Sequence, residues 1–373
     1  MTYLPFSRPS IDEPTIEGIG QVLRSGWITT GPYVAKFESA LSMYLGGRKV
    51  RTLTSGTAAL EIALKTAGVG LHDEVIVPAM SFAASANVIL RRGAIPVFVD
   101  VELGSRNLDL SLVEAAITDS TRAIMPVHFG GLPVDLDRLY RIAEKHKLRV
   151  IEDAAHAIGS VYRGRRIGSF GDLTCFSFHP NKNMTTIEGG AIAFNRAEDA
   201  QLIEEERFHG IQRDADGNVD VVSFGGKFNL SDVSARIGIG QLEQLDTFSK
   251  RRRELAALYF QELSNDPPGV LPEMGDDGHC WNMFTLLLPF QQLGITRAQF
   301  IQAMGRRGIG VGVHYPCIPG LTAYRELEYR EERFPNAARI GRETVTLPLF
   351  PAMTDDDVRR VCAGLRYVLA DRS

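Results

Sequence analysis

The chain of 373 residues is 44% hydrophobic and 23% charged, which supplies enough apolar material for one large domain and a smaller companion. A net charge of −4 offers no electrostatic reason for nucleic acid or an anionic membrane to bind, and no apolar run is long enough to span a bilayer. The four cysteines, Cys175, Cys280, Cys317 and Cys362, follow no CxxC or metal-ligand spacing. With an N-terminus that lacks the basic and apolar regions of a signal peptide, they point to reduced thiols in a cytoplasmic protein.

Residues 13–24 carry helical spacing, broken by Gly26-Trp-Ile-Thr-Thr-Gly-Pro32, and a second helical stretch covers Val34–Leu45. Short apolar runs then recur at Arg51–Thr54, Glu74–Pro78, Ile95–Val99, Ala123–Val127, Arg149–Glu152, Leu173–Phe178 and Gly190–Phe194. Amphipathic helical patterns separate most of them, at Thr57–Ala67, Ala83–Arg92, Leu110–Ile117 and Leu136–His146. Apolar strands alternating with helices predict an α/β fold, a mostly parallel sheet of about seven strands covered on both faces. Ligands of such sheets sit at the carboxyl ends of the strands.

After Phe194 the pattern predicts a helix over Arg196–Phe208, a polar loop at Gln212–Asn218 and a long helix over Leu242–Ser264. The basic run Lys250-Arg-Arg-Arg253 on that helix reads as a solvated face. Strands are expected at Asn282–Pro289 and Gly308–His314, and helices at Arg297–Arg307 and Asp355–Leu369. The change of content divides the chain into a large domain, 1–249, and a smaller α+β domain, 250–373.

Chemistry concentrates where strands end. Lys182 follows the apolar run Cys175-Phe-Ser-Phe178 in the loop His-Pro-Asn-Lys-Asn, and Asp153 closes Val150-Ile-Glu-Asp153. A poorly solvated lysine becomes an available amine, and a lysine paired with a carboxylate at two strand ends is what pyridoxal phosphate chemistry uses. An isolated lysine in a turn is more often a surface residue, and an isolated strand-end aspartate more often a cap. Ser55-Gly56-Thr57-Ala58 opens a helix whose free N–H groups suit a phosphate, although taken alone it reads more readily as an ordinary N-cap. Ser177 could add a hydroxyl to the same phosphate, His156 could bond a ring oxygen, and Phe82 could stack on a flat ring. Taken singly, each has a bland alternative in strand, core or turn. Together they occupy successive strand ends.

The motifs Ser55-Gly-Thr-Ala, Glu152-Asp-Ala-Ala-His156, Phe176-Ser-Phe-His-Pro-Asn-Lys-Asn183 and Glu188-Gly-Gly resemble those of the DegT/DnrJ/StrS sugar aminotransferases. The resemblance runs from Leu4-Pro-Phe-Ser-Arg-Pro9 to Leu347-Pro-Leu-Phe-Pro-Ala-Met-Thr354. The opening segment and the Gly26–Pro32 loop are most similar to the branch that aminates UDP-4-keto-arabinose for lipid A modification. The resemblance implies a fold-type I pyridoxal phosphate enzyme that moves an amino group from glutamate to a nucleotide-linked keto-sugar, at C4 or C3. The cofactor would pass through its pyridoxamine phosphate form, with 2-oxoglutarate as the other product.

By position, the resemblance makes Lys182 the lysine that binds the cofactor and moves the proton, and Asp153 the partner of its ring nitrogen. Phe82 and Ala155 would cover the ring, His156 would lie near its oxygen, and Gly56, Thr57 and Ser177 would hold its phosphate. Lys227 and Asn229, in Gly225-Gly-Lys-Phe-Asn-Leu-Ser-Asp232, match a loop that reaches a neighbouring subunit's phosphate, which implies a homodimer with shared active sites. Thr29, Thr30, His314 and Tyr315 match positions expected near the sugar nucleotide. Gly226 stands where relatives carry Tyr, and Ile187 where they carry Gly or Ala. Two other readings carry less weight: a related sugar dehydratase typically replaces the lysine with histidine, whereas this chain has Lys182, and a non-catalytic regulator needs a DNA-binding appendage or a basic face, neither of which the sequence shows.

Overall fold

The computed structural model describes residues 2–370. Its central feature is a sheet of seven strands: β1 (Lys49–Leu53), β2 (Glu74–Pro78), β3 (Ile95–Val99), β4 (Thr121–Ile124), β5 (Arg149–Asp153), β6 (Leu173–Ser177) and β7 (Gly190–Phe194). Their spatial order is β1-β7-β6-β5-β4-β2-β3, and every pairing is parallel except those that β7 makes with β1 and β6. The strands read as continuous apolar runs because alternate residues enter two cores. Val75, Val77 and Ile151 point into one, whereas Ile76, Ile124 and Val150 point into the other. Each such side chain, removed from water, contributes about 1.5–3 kcal/mol.

Helices Gly56–Thr66 and Ala84–Arg91 pack into the first core, and Pro32–Tyr44 and Leu136–His146 into the second. The long helix is Asp232–Leu263, ten residues longer at its start than its periodicity suggests. Gly238 and Gly240 dilute the apolar stripe there, because Phe37 and Thr15 pack directly against them. This helix crosses the boundary expected at 249/250 without a break. Its Leu245 joins the second core, and its Leu255, Tyr259 and Leu263 join a third core with Phe284, Phe300 and Leu365.

The third core is built on the antiparallel pair Phe284–Leu287 and Thr344–Leu347, flanked by helices Arg297–Arg306 and Asp355–Ala370. Thr344–Leu347 was not foreseen as a strand, and the strand expected at Gly308–His314 does not form. That segment makes isolated bridges, Ile309 to Leu4 and Gly312 to Thr346. Two small hairpins also escape the periodicity, Val161–Tyr162 with Arg165–Arg166, and Ile211–Arg213 with Val219–Val221 around the expected polar loop. Strands of two or three residues are too short to show an alternation.

Candidate active site

β5 and β6 lie side by side, and Asp153, the last residue of β5, stands opposite Cys175 of β6. Two residues further along, Ser177 faces the turn into helix Gly56–Thr66. There Gly56 is obligatory, because a Cβ on it would sit 2.8 Å from the Ser177 Cβ. Gly190 makes room from the other side, where a Cβ would lie 2.4 Å from the Ser55 carbonyl carbon. Ser55 caps the helix by accepting the Ala58 N–H at 3.0 Å, and Gly56 and Thr57, whose amides open the helix, border the strand ends.

These ends enclose a cavity of about 390 Å³. Its walls include Gly56, Thr57, Phe82, Asp153, Ala155, His156, Ser177, Lys182, His314 and Tyr315. The structure thus brings together ten of the residues singled out in the sequence. It places Thr29, Thr30 and Asn229 in the wall of a separate cavity of about 590 Å³, with Arg207 and Arg213. Lys227 adjoins that second group through a hydrogen bond to the Asn229 side chain.

Lys182 is half-buried, and desolvation pulls its amine down to about 8 against the opposing pull of Asp153. The Lys182 N–H donates to the His179 carbonyl at 2.9 Å, closing the turn that carries the side chain. Asn282 ties the same loop to the third core's strand pair, donating to the Asn181 carbonyl at 3.2 Å and the Asn183 side chain at 3.0 Å. From the sequence, Asn282 is expected only as the start of a strand.

Asp153 is buried. Burial raises its proton affinity, and the hydrogen bonds from Ser85 and from the Ala155 N–H, with the charges of Lys182 and His128, oppose that rise. The Ala155 N–H donates to one carboxylate oxygen at 3.1 Å and the Ser85 hydroxyl to the other at 2.8 Å. Ser85 was not foreseen. Its signal in the sequence is its place four residues after Ser81, at the start of a helical pattern.

His156 accepts the Gly130 N–H on Nδ1 at 3.3 Å, which leaves the proton of the neutral ring on Nε2, 3.3 Å from the Tyr315 hydroxyl. Burial, and then the Lys182 charge, hold the ring well below its ordinary range and so neutral. The His156 and Tyr315 rings lie nearly parallel, 13° apart, and Phe129 meets both edge-on. His314 is held to about 4 by burial and Lys182, and bonds the Thr346 hydroxyl at 2.8 Å. Phe82 is 57% exposed, unusual for a phenylalanine beside a core, and its open face borders the cavity. Ile187 has φ +72°, a left-handed conformation that costs a β-branched residue roughly 1–2 kcal/mol and that glycine adopts freely.

The second cluster is held differently. The buried Asp232 carboxylate accepts the N–H groups of Gly31, Tyr33 and Val34 at 2.9, 3.1 and 2.9 Å. The Thr30 hydroxyl donates to the Leu230 carbonyl at 2.7 Å and accepts from the Asn229 amide. Lys227 stands over the Phe208 ring, 4.8 Å from its centroid.

The donor set of the first cavity fits pyridoxal phosphate: an amine with a lowered proton affinity, a buried carboxylate, amides at a helix N-terminus beside a hydroxyl, and a flat aromatic face. Known proteins point the same way. The DegT/DnrJ/EryC1/StrS aminotransferase family matches residues 9–366. The Bacillus subtilis spore coat polysaccharide biosynthesis protein SpsC is 38% identical, over 98% of this chain and 97% of its own. Spr1654 of Streptococcus pneumoniae, solved in its PLP form, superposes with a TM-score of 0.92 at 32% identity, covering 100% of both chains. Helicobacter pylori PseC, an aminotransferase of pseudoaminic acid biosynthesis, gives a TM-score of 0.93 at 26% identity, covering 99% of this chain and 100% of its own. The fold is that of the fold-type I pyridoxal phosphate enzymes, and the chain belongs to the DegT/DnrJ/EryC1/StrS aminotransferase family.

Proposed function

We propose that the protein transfers an amino group from glutamate to a nucleotide-linked keto-sugar, at C4 of a UDP-4-keto-pentose or a 4-keto-6-deoxyhexose. The observation that carries this reading is the convergence of Lys182, Asp153 and the Gly56–Thr57 helix N-terminus on one cavity. The sugar class is supported by SpsC and PseC, both of which serve carbohydrate biosynthesis.

When bound, pyridoxal phosphate supplies an electron sink that lets a proton and an amino group move between the carbons of donor and acceptor. Lys182 would hold it covalently, and the Gly56 and Thr57 amides with the Ser177 hydroxyl would hold its phosphate. Phe82 and Ala155 would cover the two faces of its ring, and Asp153 would keep the ring nitrogen protonated. With its amine at about 8, Lys182 exists in both protonation states near neutral pH and can take a proton and return it. His156, fixed as the Nε2–H tautomer, can donate a hydrogen bond without acquiring charge. His314 and Tyr315 would form the substrate wall. Lys227 and Asn229, which lie outside this cavity, would serve the neighbouring subunit's site in a homodimer.

The test begins with the absorption spectrum of the protein with pyridoxal phosphate, before and after glutamate. A visible cofactor band that bleaches with glutamate and returns with a UDP-4-keto-sugar supports the full reading. Return with a 3-keto-sugar nucleotide alone would move the reaction to C3, and return with a free keto-sugar alone would overturn the nucleotide requirement.

A further inference from the structure

Ser85 is fully buried, and of the two serines near Asp153 only Ser81 reaches the cavity wall. The Ser81 and Ser85 oxygens are 3.0 Å apart, and Ser85 Oγ lies 2.8 Å from Asp153 Oδ2. A hydroxyl has one proton to give. The Asp153 carboxylate can only accept, so Ser85 donates to it, and Ser81 then donates to Ser85. The other contact of Ser85 Oγ, the Phe82 carbonyl at 3.2 Å, is longer. The second carboxylate oxygen is fixed by the Ala155 N–H. Ser85 also sits in the first turn of helix Ala84–Arg91, where the helix end favours a nearby anion.

We propose that Ser85 is a positioning residue: with Ser81 it forms a one-way hydroxyl chain that holds Asp153 as an anion and fixes the orientation of its carboxylate. The inference rests on the aminotransferase reading, since it acts through the residue that would face the cofactor's ring nitrogen. The groups facing Asp153 from the surrounding elements are Lys182 on the loop after β6, His128 on the loop after β4, Cys175 on β6 itself and Tyr315 on the segment before Cys317. Of these, Lys182 and His128 favour the anion and Cys175 and Tyr315 do not, so the serine chain adds to a balance that burial otherwise tips toward the neutral acid.

The experiment titrates pyridoxal phosphate into the wild type, Ser85→Ala, Ser85→Thr and Ser81→Ala between pH 5 and 9, reading the visible band and, separately, the melting temperature. Loss of a hydrogen bond to a charged group should weaken cofactor affinity about tenfold in Ser85→Ala. The carboxylate is also protonated more readily without its donor, so the fall of affinity on the acid side should begin at a higher pH than in the wild type. Ser85→Thr, which keeps the hydroxyl, should restore the wild-type profile, and Ser81→Ala should give a smaller shift in the same direction. An Ser85→Ala profile of unchanged shape, or a loss that Ser85→Thr fails to rescue at an unchanged melting temperature, overturns the chain of serines alone. A wild type without a cofactor band overturns the aminotransferase reading and the inference with it.

Discussion

The cavity around Lys182 and the cavity around Thr30 are both walled by residues that the sequence singles out, yet they are held together in different ways. The first is framed by the ends of parallel strands. Asp153 and His156 are buried and hydrogen-bonded from neighbouring strands and turns, Lys182 is half-buried, and desolvation shifts all three away from their ordinary titration. The second lies between the Thr29–Thr30 loop, Asn229, the helix Ala197–Arg207 and the hairpin that follows it. Its walls carry charged side chains, among them Glu204, Arg207 and Arg213, with Thr29 in solvent. A buried site can impose proton affinities on its residues, whereas an exposed cluster offers recognition or association. The residues proposed as catalytic, Lys182 and Asp153, line the first cavity, and under the homodimer proposal the second completes a neighbour's site.

The largest expected effect separates the two. Lys182→Ala should lower transamination by about a thousandfold or more, since among this chain's described residues no other lysine borders the cavity. Steady-state turnover measures this, and borohydride reduction followed by intact-mass measurement should detect covalently retained cofactor in the wild type only. Retention in the mutant would put the attachment on another residue.

Mixing subunits sharpens the comparison. If the second cluster serves the partner's cavity, a hybrid of Lys182→Ala and Lys227→Ala chains has one site with both lesions and the other with neither. Activity should therefore reappear when the two mutants are unfolded and refolded together. If each chain served only itself, every site would carry a lesion and the mixture would stay as weak as its parents.

The smallest effect is on stability. Asp232→Ala leaves the N–H groups of Gly31, Tyr33 and Val34 without their acceptor, and should cost about 3 kcal/mol in denaturant unfolding. Because the Asp232 carboxylate holds Gly31, the residue that follows Thr29–Thr30, the mutation should disturb the second cavity more than cofactor binding in the first. Equal damage to both would show that the two regions are mechanically coupled.

Much of this protein is determined by the sequence itself, wherever the physics is local. Apolar runs alternating with 3.6-residue periodicity required a parallel sheet covered on both faces, and Asp153 and Lys182 stood at strand ends because their runs stopped there. Ser55-Gly-Thr-Ala marked its helix start for the same reason. Several features were decided only by tertiary structure. The sheet order, with β7 reversed between β1 and β6, depends on which strands meet across the chain. Thr344–Leu347 is a strand because Phe284–Leu287 pairs with it, and Gly308–His314 is not, since its backbone reaches only isolated partners at Leu4 and Thr346. Ser85 and Asn282 look ordinary in sequence. They acquire their roles from groups 68 and 99 residues away, at Asp153 and Asn183, and contacts over such separations leave no period to read.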